Sequence, residues 1–193
     1  MNFMIICFFA PFFEGTRANI DKDQKVLEDL RAMGLELHPV ELKTSVDPSS
    51  MLISLYVEGA AAFDDLTRLN LDDQLVAQHR NAWPNLFRAA RFIPAVEYIQ
   101  ANRYRSILIE EMHALFQEYD VIVTPSFAGN QLQITNLTGH PAVSVPNGFD
   151  KKGRPTSFTL LGNLYDEGSI LALARAYQQA TDFEEKYPPL FAK

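Results

Sequence analysis

The chain opens on an unbroken apolar run, Phe3-Met4-Ile5-Ile6-Cys7-Phe8-Phe9-Ala10, of the length expected for a buried strand. A secretory h-region would also be apolar. No Lys or Arg precedes this run, however, and no small-x-small cleavage pattern follows before Glu14-Gly15, so a strand is favoured. Val26, Leu27, Leu30 and Met33 then recur at helical spacing, with Asp21 and Gln24 spaced as a capping box and Gly34 as the stop. Leu35, Leu37 and Val40 alternate with Glu36, His38 and Glu41, which predicts a second strand. Residues 3–42 therefore read strand, helix, strand, an α/β opening.

Asp47-Pro48 starts a predicted helix, with Asp47 as the cap and Pro48 at N1, that continues through Met51, Leu52, Leu55, Tyr56, Ala60 and Phe63. The carboxylates Asp64-Asp65 and Asp72-Asp73 mark a solvated connection. Pro84 and Pro94 bracket an apolar segment and predict two short helices or a helix with a break. Val96, Ile99, Tyr104, Ile107, Leu108, Met112, Leu115 and Phe116 then trace an apolar stripe over about five helical turns. Val121-Ile122-Val123, Ala142-Val143-Ser144-Val145 and Thr156–Leu161 predict three more strands, with the polar turn Lys151-Lys152-Gly153 before the last. Asp166 opens a closing helix with Ile170, Leu173, Ala174, Tyr177 and Thr181 on one face. The tail Tyr187-Pro188-Pro189-Leu190-Phe191 is expected to dock in extended form.

Composition narrows the function classes. A length of 193 residues can bury a sizeable core, and residues 1–193 are read as a single unit. With 17 basic and 24 acidic side chains the formal net charge is −7, so attraction to nucleic-acid phosphates or anionic lipid would work against the overall field. Neither nucleic acid nor a membrane is an expected partner, since no stretch approaches the ~18 apolar residues of a span. The lone Cys7 cannot form an internal disulfide, which fits a reducing, cytoplasmic setting.

From about residue 96 to 190 the order of motifs is more specific. Tyr119-Asp120-Val121-Ile122-Val123-Thr124-Pro125 is followed by Thr135-Asn136-Leu137-Thr138-Gly139-His140-Pro141 and Ala142-Val143-Ser144-Val145-Pro146-Asn147-Gly148-Phe149. Gly153-Arg154-Pro155, Leu161-Gly162 and Tyr165-Asp166-Glu167 complete the series. These blocks, in this order, resemble the C-terminal part of the amidase-signature family. Residues 1–42 match its preceding strand, helix and strand more generically, and residues 43–95 are poorly placed by it. The resemblance implies a mixed β-sheet flanked by helices, a partial amidase-signature fold.

What it implies for chemistry is a division of labour. The family's reaction resembles acyl transfer through a serine nucleophile, with a lysine and a second serine moving the proton and a Gly/Ser-rich loop cradling the oxyanion. A serine with no adjacent base is a weak nucleophile. In the family these groups lie upstream of the region matched here. The chain offers no substitute: its nine glycines include no adjacent pair, and it has no Gly-x-Ser-x-Gly elbow. Ser49-Ser50, with Lys43 nearby, is the lone serine pair, and Asp47-Pro48 places it in the first turn of a helix. His38, His79, His113 and His140 are scattered, so neither a metal nor a cofactor is implied.

No residue is therefore named as catalytic. Arg105 shares a helical row with Ala101, Leu108, Met112 and Phe116, and in the tRNA-dependent amidotransferase A subunits of this superfamily the matching arginine contacts a substrate carboxylate. The alternative for Arg105 is snorkelling or a structural ion pair. Asn136 and Thr138 are candidates for pocket or supporting roles, holding their loop through bonds to neighbouring backbone. Two departures stand out: the acidic residue of those subunits falls near Gly129 or Asn130, and the family's usual Gln in the last strand is Thr159. The expected function is that of a C-terminal fragment of an amidohydrolase acting on carboxamide bonds, inactive alone, taking a small-molecule amide only if completed. The alternative is a non-catalytic or split-subunit module that self-associates or joins a partner chain through an exposed sheet edge.

Overall fold

The computed structural model describes residues 4–188 and 191. Its contacts group into two compact units, one of Met1–Lys43 with Glu111–Lys193 and one of Thr44–Glu110. The first unit is built on β1 (Ile6–Phe9), α1 (Ile20–Ala32) and β2 (Leu37–Val40). The second holds α2 (Leu52–Ala62), α3 (Asp64–Arg68) and α4 (Trp83–Ala90), and its boundary at residue 110 falls within α5 (Ala95–Leu115). The chain returns to the first unit with β3 (Val121–Pro125), α6 (Gln131–Thr138), β4 (Ala142–Phe149), β5 (Pro155–Gly162) and α7 (Glu167–Thr181).

The sheet order is β2-β1-β3-β5-β4. β1 runs parallel to β2 and β3, and β5 runs antiparallel to β3 and β4, so the sheet is mixed. Strand side chains alternate between faces. On one face Ile6, Phe8, Val121, Val123, Val145, Phe158 and Leu160 join Val26, Leu27 and Leu30 of α1 and Ile170, Leu173, Ala174 and Tyr177 of α7 in one buried cluster. Cys7, Phe9, Ile122 and Leu161, of opposite parity, are also buried. Burial on both faces explains why β1 and β3 read as continuous apolar runs rather than alternating ones. Desolvation pushes the Cys7 thiol up to about 12.

Both sheet edges are interrupted. β2 has four residues and contains Pro39. β4 contains Pro146, and a register shift between Pro146 and Gly148 bulges Asn147 out of the ladder. A chain adding to either edge would meet a position without an N–H donor.

Local signals differ from expectation at several points. The apolar run stops being a strand at Phe9, and Ala10–Phe13, with Pro11 in its first turn, forms a 3-10 helix. Phe3, the first residue of that run, lies outside the described residues. Helix α1 is not started by a capping box: Asn19, in the left-handed region, is its N-cap, and Gln24 Nε2 donates instead to the Phe13 carbonyl at 3.2 Å. Gly34, at φ +87°, terminates the helix as expected. Pro189 and Leu190 of the expected extended tail lie outside the described residues.

In the second unit Asp47 accepts from Ser49 N at 3.0 Å, and Pro48–Met51 is a 3-10 turn leading into α2. The acidic stretch is solvated at Asp65 and Asp73, as expected, but not at Asp72. Asp64 pairs with Arg68 at 2.5 Å and with Arg91, while Asp72 is 1% exposed and faces Arg88 at 2.5 Å. Ion pairing at Asp64 and burial at Asp72 depart from the bare charge pattern. Phe87 stacks between Phe63 and Trp83, each at 5.4 Å between centroids.

The single apolar stripe expected on α5 is two faces. Ala101, Leu108 and Met112 are buried, as is Phe116 just beyond the helix, but Val96, Ile99, Tyr104 and Ile107 are 39–57% exposed. At about 100° per residue, positions 96, 99 and 107 lie on a different side from 101, 108 and 112. Among the described residues no helix is long and apolar enough to cross a membrane.

Candidate functional site

Strand register builds a cluster of hydroxyls in the first unit. Thr159 of β5 lies opposite Thr124 of β3 and Ser144 of β4, and Ser157, two residues earlier on the same face of β5, lies opposite Pro146. Ser126 follows directly after β3. Its Oγ is 2.9 Å from Ser157 Oγ, 2.9 Å from Thr159 Oγ1 and 3.4 Å from Ser144 Oγ. A hydroxyl has one proton to give and two lone pairs to receive, so three hydroxyl neighbours fill its capacity.

Ser126 and Ser157 also line a cavity of about 190 Å³, together with Phe127, Thr156, Arg17 and Asp23. Arg17 Nη2 donates to Asp23 Oδ2 at 2.5 Å and to the Phe12 carbonyl at 3.3 Å. Asp23 is only 4% exposed, and desolvation pushes its carboxyl up to about 6 against the opposing pull of the Arg17 cation. Thr156 Oγ1 is buried without a hydrogen-bond partner beside this pair. The cavity thus presents a cation, a carboxylate of raised pKa and neutral hydroxyls. It offers donors and acceptors for a polar ligand, while the hydrogen bonds of Ser126 Oγ all go to hydroxyls and none to a base.

The residues singled out from the sequence do not converge there. Arg105 is half-buried on α5 in the second unit, in the expected row with Ala101 and Leu108. Asn136 and Thr138 belong to α6, so the segment read as a loop is a helix, and both bond its own backbone. Asn136 is exposed and donates from Nδ2 to the Leu132 carbonyl at 2.7 Å. Thr138 is buried and donates to the Ile134 carbonyl at 2.8 Å. With its proton so engaged, Thr138 Oγ1 accepts at 2.7 Å from His140 Nδ1, which fixes the imidazole as the Nδ1–H form. The ring stacks on Phe116 at 5.0 Å, and burial, with a smaller contribution from His113, holds its pKa low.

Ser50 Oγ donates to the Asp47 carbonyl at 2.7 Å, a capping contact of the turn. Gly129, which with Asn130 marks where the resemblance would place an acidic residue, has φ +52°, and an added Cβ would overlap the Phe12 ring. Thr159 is a member of the hydroxyl cluster. Among the described residues no group of three or more His, Cys, Asp or Glu side chains could hold a metal ion.

Solved structures define the fold. A bacterial aryl acylamidase of the amidase-signature family superimposes with a TM-score of 0.75 over 95% of this chain and 45% of its own, at 15% identity. An allophanate hydrolase of Kluyveromyces lactis gives 0.71 over 93% of this chain and 32% of its own, at 17% identity. The fold is therefore a partial amidase-signature fold. Sequence then narrows the kinship. The glutamyl-tRNA(Gln) amidotransferase A subunit of Halalkalibacterium halodurans is 35% identical over a stretch covering 48% of this chain and 23% of the relative. Its counterpart in Bordetella avium is 36% identical over 47% and 22%. The matched stretch corresponds to a C-terminal portion of these curated relatives, and the chain spans less than a quarter of their length. No family model matches it.

Proposed function

We propose that the chain serves as the C-terminal part of an amidohydrolase acting on the carbon–nitrogen bond of a small carboxamide, and that the serine and lysine machinery for the reaction lies outside these 193 residues. The carrying observation is the environment of Ser126. Its hydroxyl lines a polar cavity, yet its hydrogen bonds all go to Ser144, Ser157 and Thr159. None of these is a base at neutral pH, so no partner withdraws the proton as an acyl-transfer nucleophile requires. In this reading the chain supplies sheet strands, the closing helix and one wall of the pocket, and by itself does not turn over amides. Asn136 and Thr138 brace that wall, and Arg105, which belongs to the other unit, is a separate candidate for substrate contact. For Asn136 and Thr138 the support is their contact with the backbone of α6. A reducing, cytoplasmic setting belongs to the same proposal and fits the single buried thiol.

The test is ammonia release from simple carboxamides by the purified chain, beside the Ser126→Ala variant. The expected result is no turnover above buffer for either. Turnover that follows the chain through successive purification steps and disappears in Ser126→Ala would overturn the reading.

A further inference from the structure

A cavity of about 550 Å³ lies in the first unit, between residues 16–22 at the start of α1 and the 149–154 turn that joins β4 to β5. Its volume falls within the ~300–1,000 Å³ of small-molecule sites. The lysines of the chain are divided by it. Lys25 pairs with Asp29, Lys43 with Glu41, and Lys186 lies over the Phe183 ring. The other lysines among the described residues, Lys22, Lys151 and Lys152, form no ion pair there, and all of them line this one cavity. The acid beside them is already engaged. Asp150 closes the turn, its carboxylate accepting from the N–H groups of Lys152 and Arg154 at 2.8 and 2.9 Å and from Arg154 Nε at 2.7 Å. From the opposite wall Lys22 reaches across to the β4 bulge, its Nζ 3.7 Å from the point where a Cβ on Gly148 would stand. Arg17 is taken up by Asp23. Asp21 offsets one ammonium charge, and the wall stays positive in a chain of net charge −7. A concave wall of one sign concentrates ions of the other.

The geometry points to a binding site for a small phosphorylated molecule in this cavity, its phosphate held by Lys22, Lys151 and Lys152. Phosphate follows from which cations are left over. A planar carboxylate is met best by the guanidinium fork, and both guanidinium groups here are paired, Arg17 with Asp23 and Arg154 with Asp150. An ammonium is a compact point charge with three rotatable donors, which suits a tetrahedral oxyanion approached from several sides. The bonds that Asp150 makes to the turn set Lys151 and Lys152 opposite Lys22 before any ligand arrives, so little ordering is left for binding to supply. The inference uses none of the hydroxyls of the candidate site and stands or falls apart from the amidase reading.

Inorganic pyrophosphate is the probe, titrated calorimetrically into the purified chain at fixed ionic strength, beside citrate and a short single-stranded DNA. Saturable one-to-one binding of pyrophosphate, with citrate and DNA both weaker, is the expected result. The double variant Lys151→Gln with Lys152→Gln, at an exposed turn, should weaken Kd by about fivefold or more, the effect of losing two exposed ion pairs. Lys22→Gln should weaken it as well. Lys25→Gln, on the same helix but outside the cavity, should leave Kd unchanged, and circular dichroism should be the same for every variant. Absence of saturable pyrophosphate binding, citrate or DNA binding as tightly, or a Lys25→Gln effect as large as that of the double variant would each overturn the proposal.

Discussion

The buried carboxyl of Asp23 sets an unusual pH dependence. In the unfolded chain its pKa is the ordinary 3.8, and in the fold desolvation lifts it to about 6 although Arg17 opposes the shift. Between those values the folded state holds a proton that the unfolded state has released. Unfolding free energy changes with pH in proportion to protons bound unfolded minus protons bound folded, which is negative here, so stability falls as pH rises through this window. At about 1.4 kcal/mol per pKa unit, a shift of about two units amounts to about 3 kcal/mol lost between pH ~4 and ~6. Asp23→Asn removes the titration. It also strips Arg17 of its partner, but Arg17 stays charged throughout, so that cost is the same at every pH. Urea unfolding of wild type and variant at a series of pH values from below 4 to 7 is the assay. The variant should gain about 3 kcal/mol relative to wild type across the window, with other carboxylates cancelling in the difference. A difference that is flat with pH, or that grows toward low pH, would refute the reasoning.

Three further outcomes are expected. Phe158→Ala removes a fully buried ring that meets Tyr177 edge-on at 4.8 Å, and calorimetry or urea titration should show a loss of about 3–5 kcal/mol. Gly139→Ala places a Cβ in open space, its nearest new neighbour Leu164 Cδ2 at 3.9 Å, so the cost should be only the backbone strain of φ +81°, about 1–2 kcal/mol. Arg88→Ala leaves Asp72, 1% exposed, without its cation. A loss of about 1–3 kcal/mol should appear in chemical unfolding, held below the cost of a fully buried pair because Arg88 is half in solvent.

Much of the sheet unit is legible in the sequence because its strands are buried on both faces. Val121-Ile122-Val123 and Phe158-Thr159-Leu160-Leu161 have no other stable use at that length, and Gly34 and Gly139 sit where a left-handed turn needs them. Helix α6 escapes because Gln131–Thr138 mixes β-branched and polar residues, although Asn130 and Gly139 stand at its two caps. On α5 the apolar residues are numerous enough to suggest one stripe, and only burial separates the covered row from the exposed one. Charge clustering at Asp64 and Asp72 reads as solvated because their arginine partners at 88 and 91 lie far along the chain.

The candidate site was the least legible part. Ser126, Ser144, Ser157 and Thr159 are unremarkable until register sets them side by side, and period-2 spacing of Ser157 and Thr159 in a strand was the sole signal in the sequence. Arg17 and Asp23 belong to a turn and the first turn of α1, six residues apart, a spacing that carries no helical pairing rule. Arg105 stood out because a cation in an apolar row is costly, and its half-buried position agrees with that.

The central claim is that none of the serines in this chain is an activated nucleophile. Incubation with a fluorophosphonate, which labels serines whose proton has been withdrawn by a base, followed by intact mass measurement reads this most directly. An unmodified mass after prolonged exposure is the expected result. A single stoichiometric adduct mapping to Ser126, Ser49 or Ser50 would contradict it.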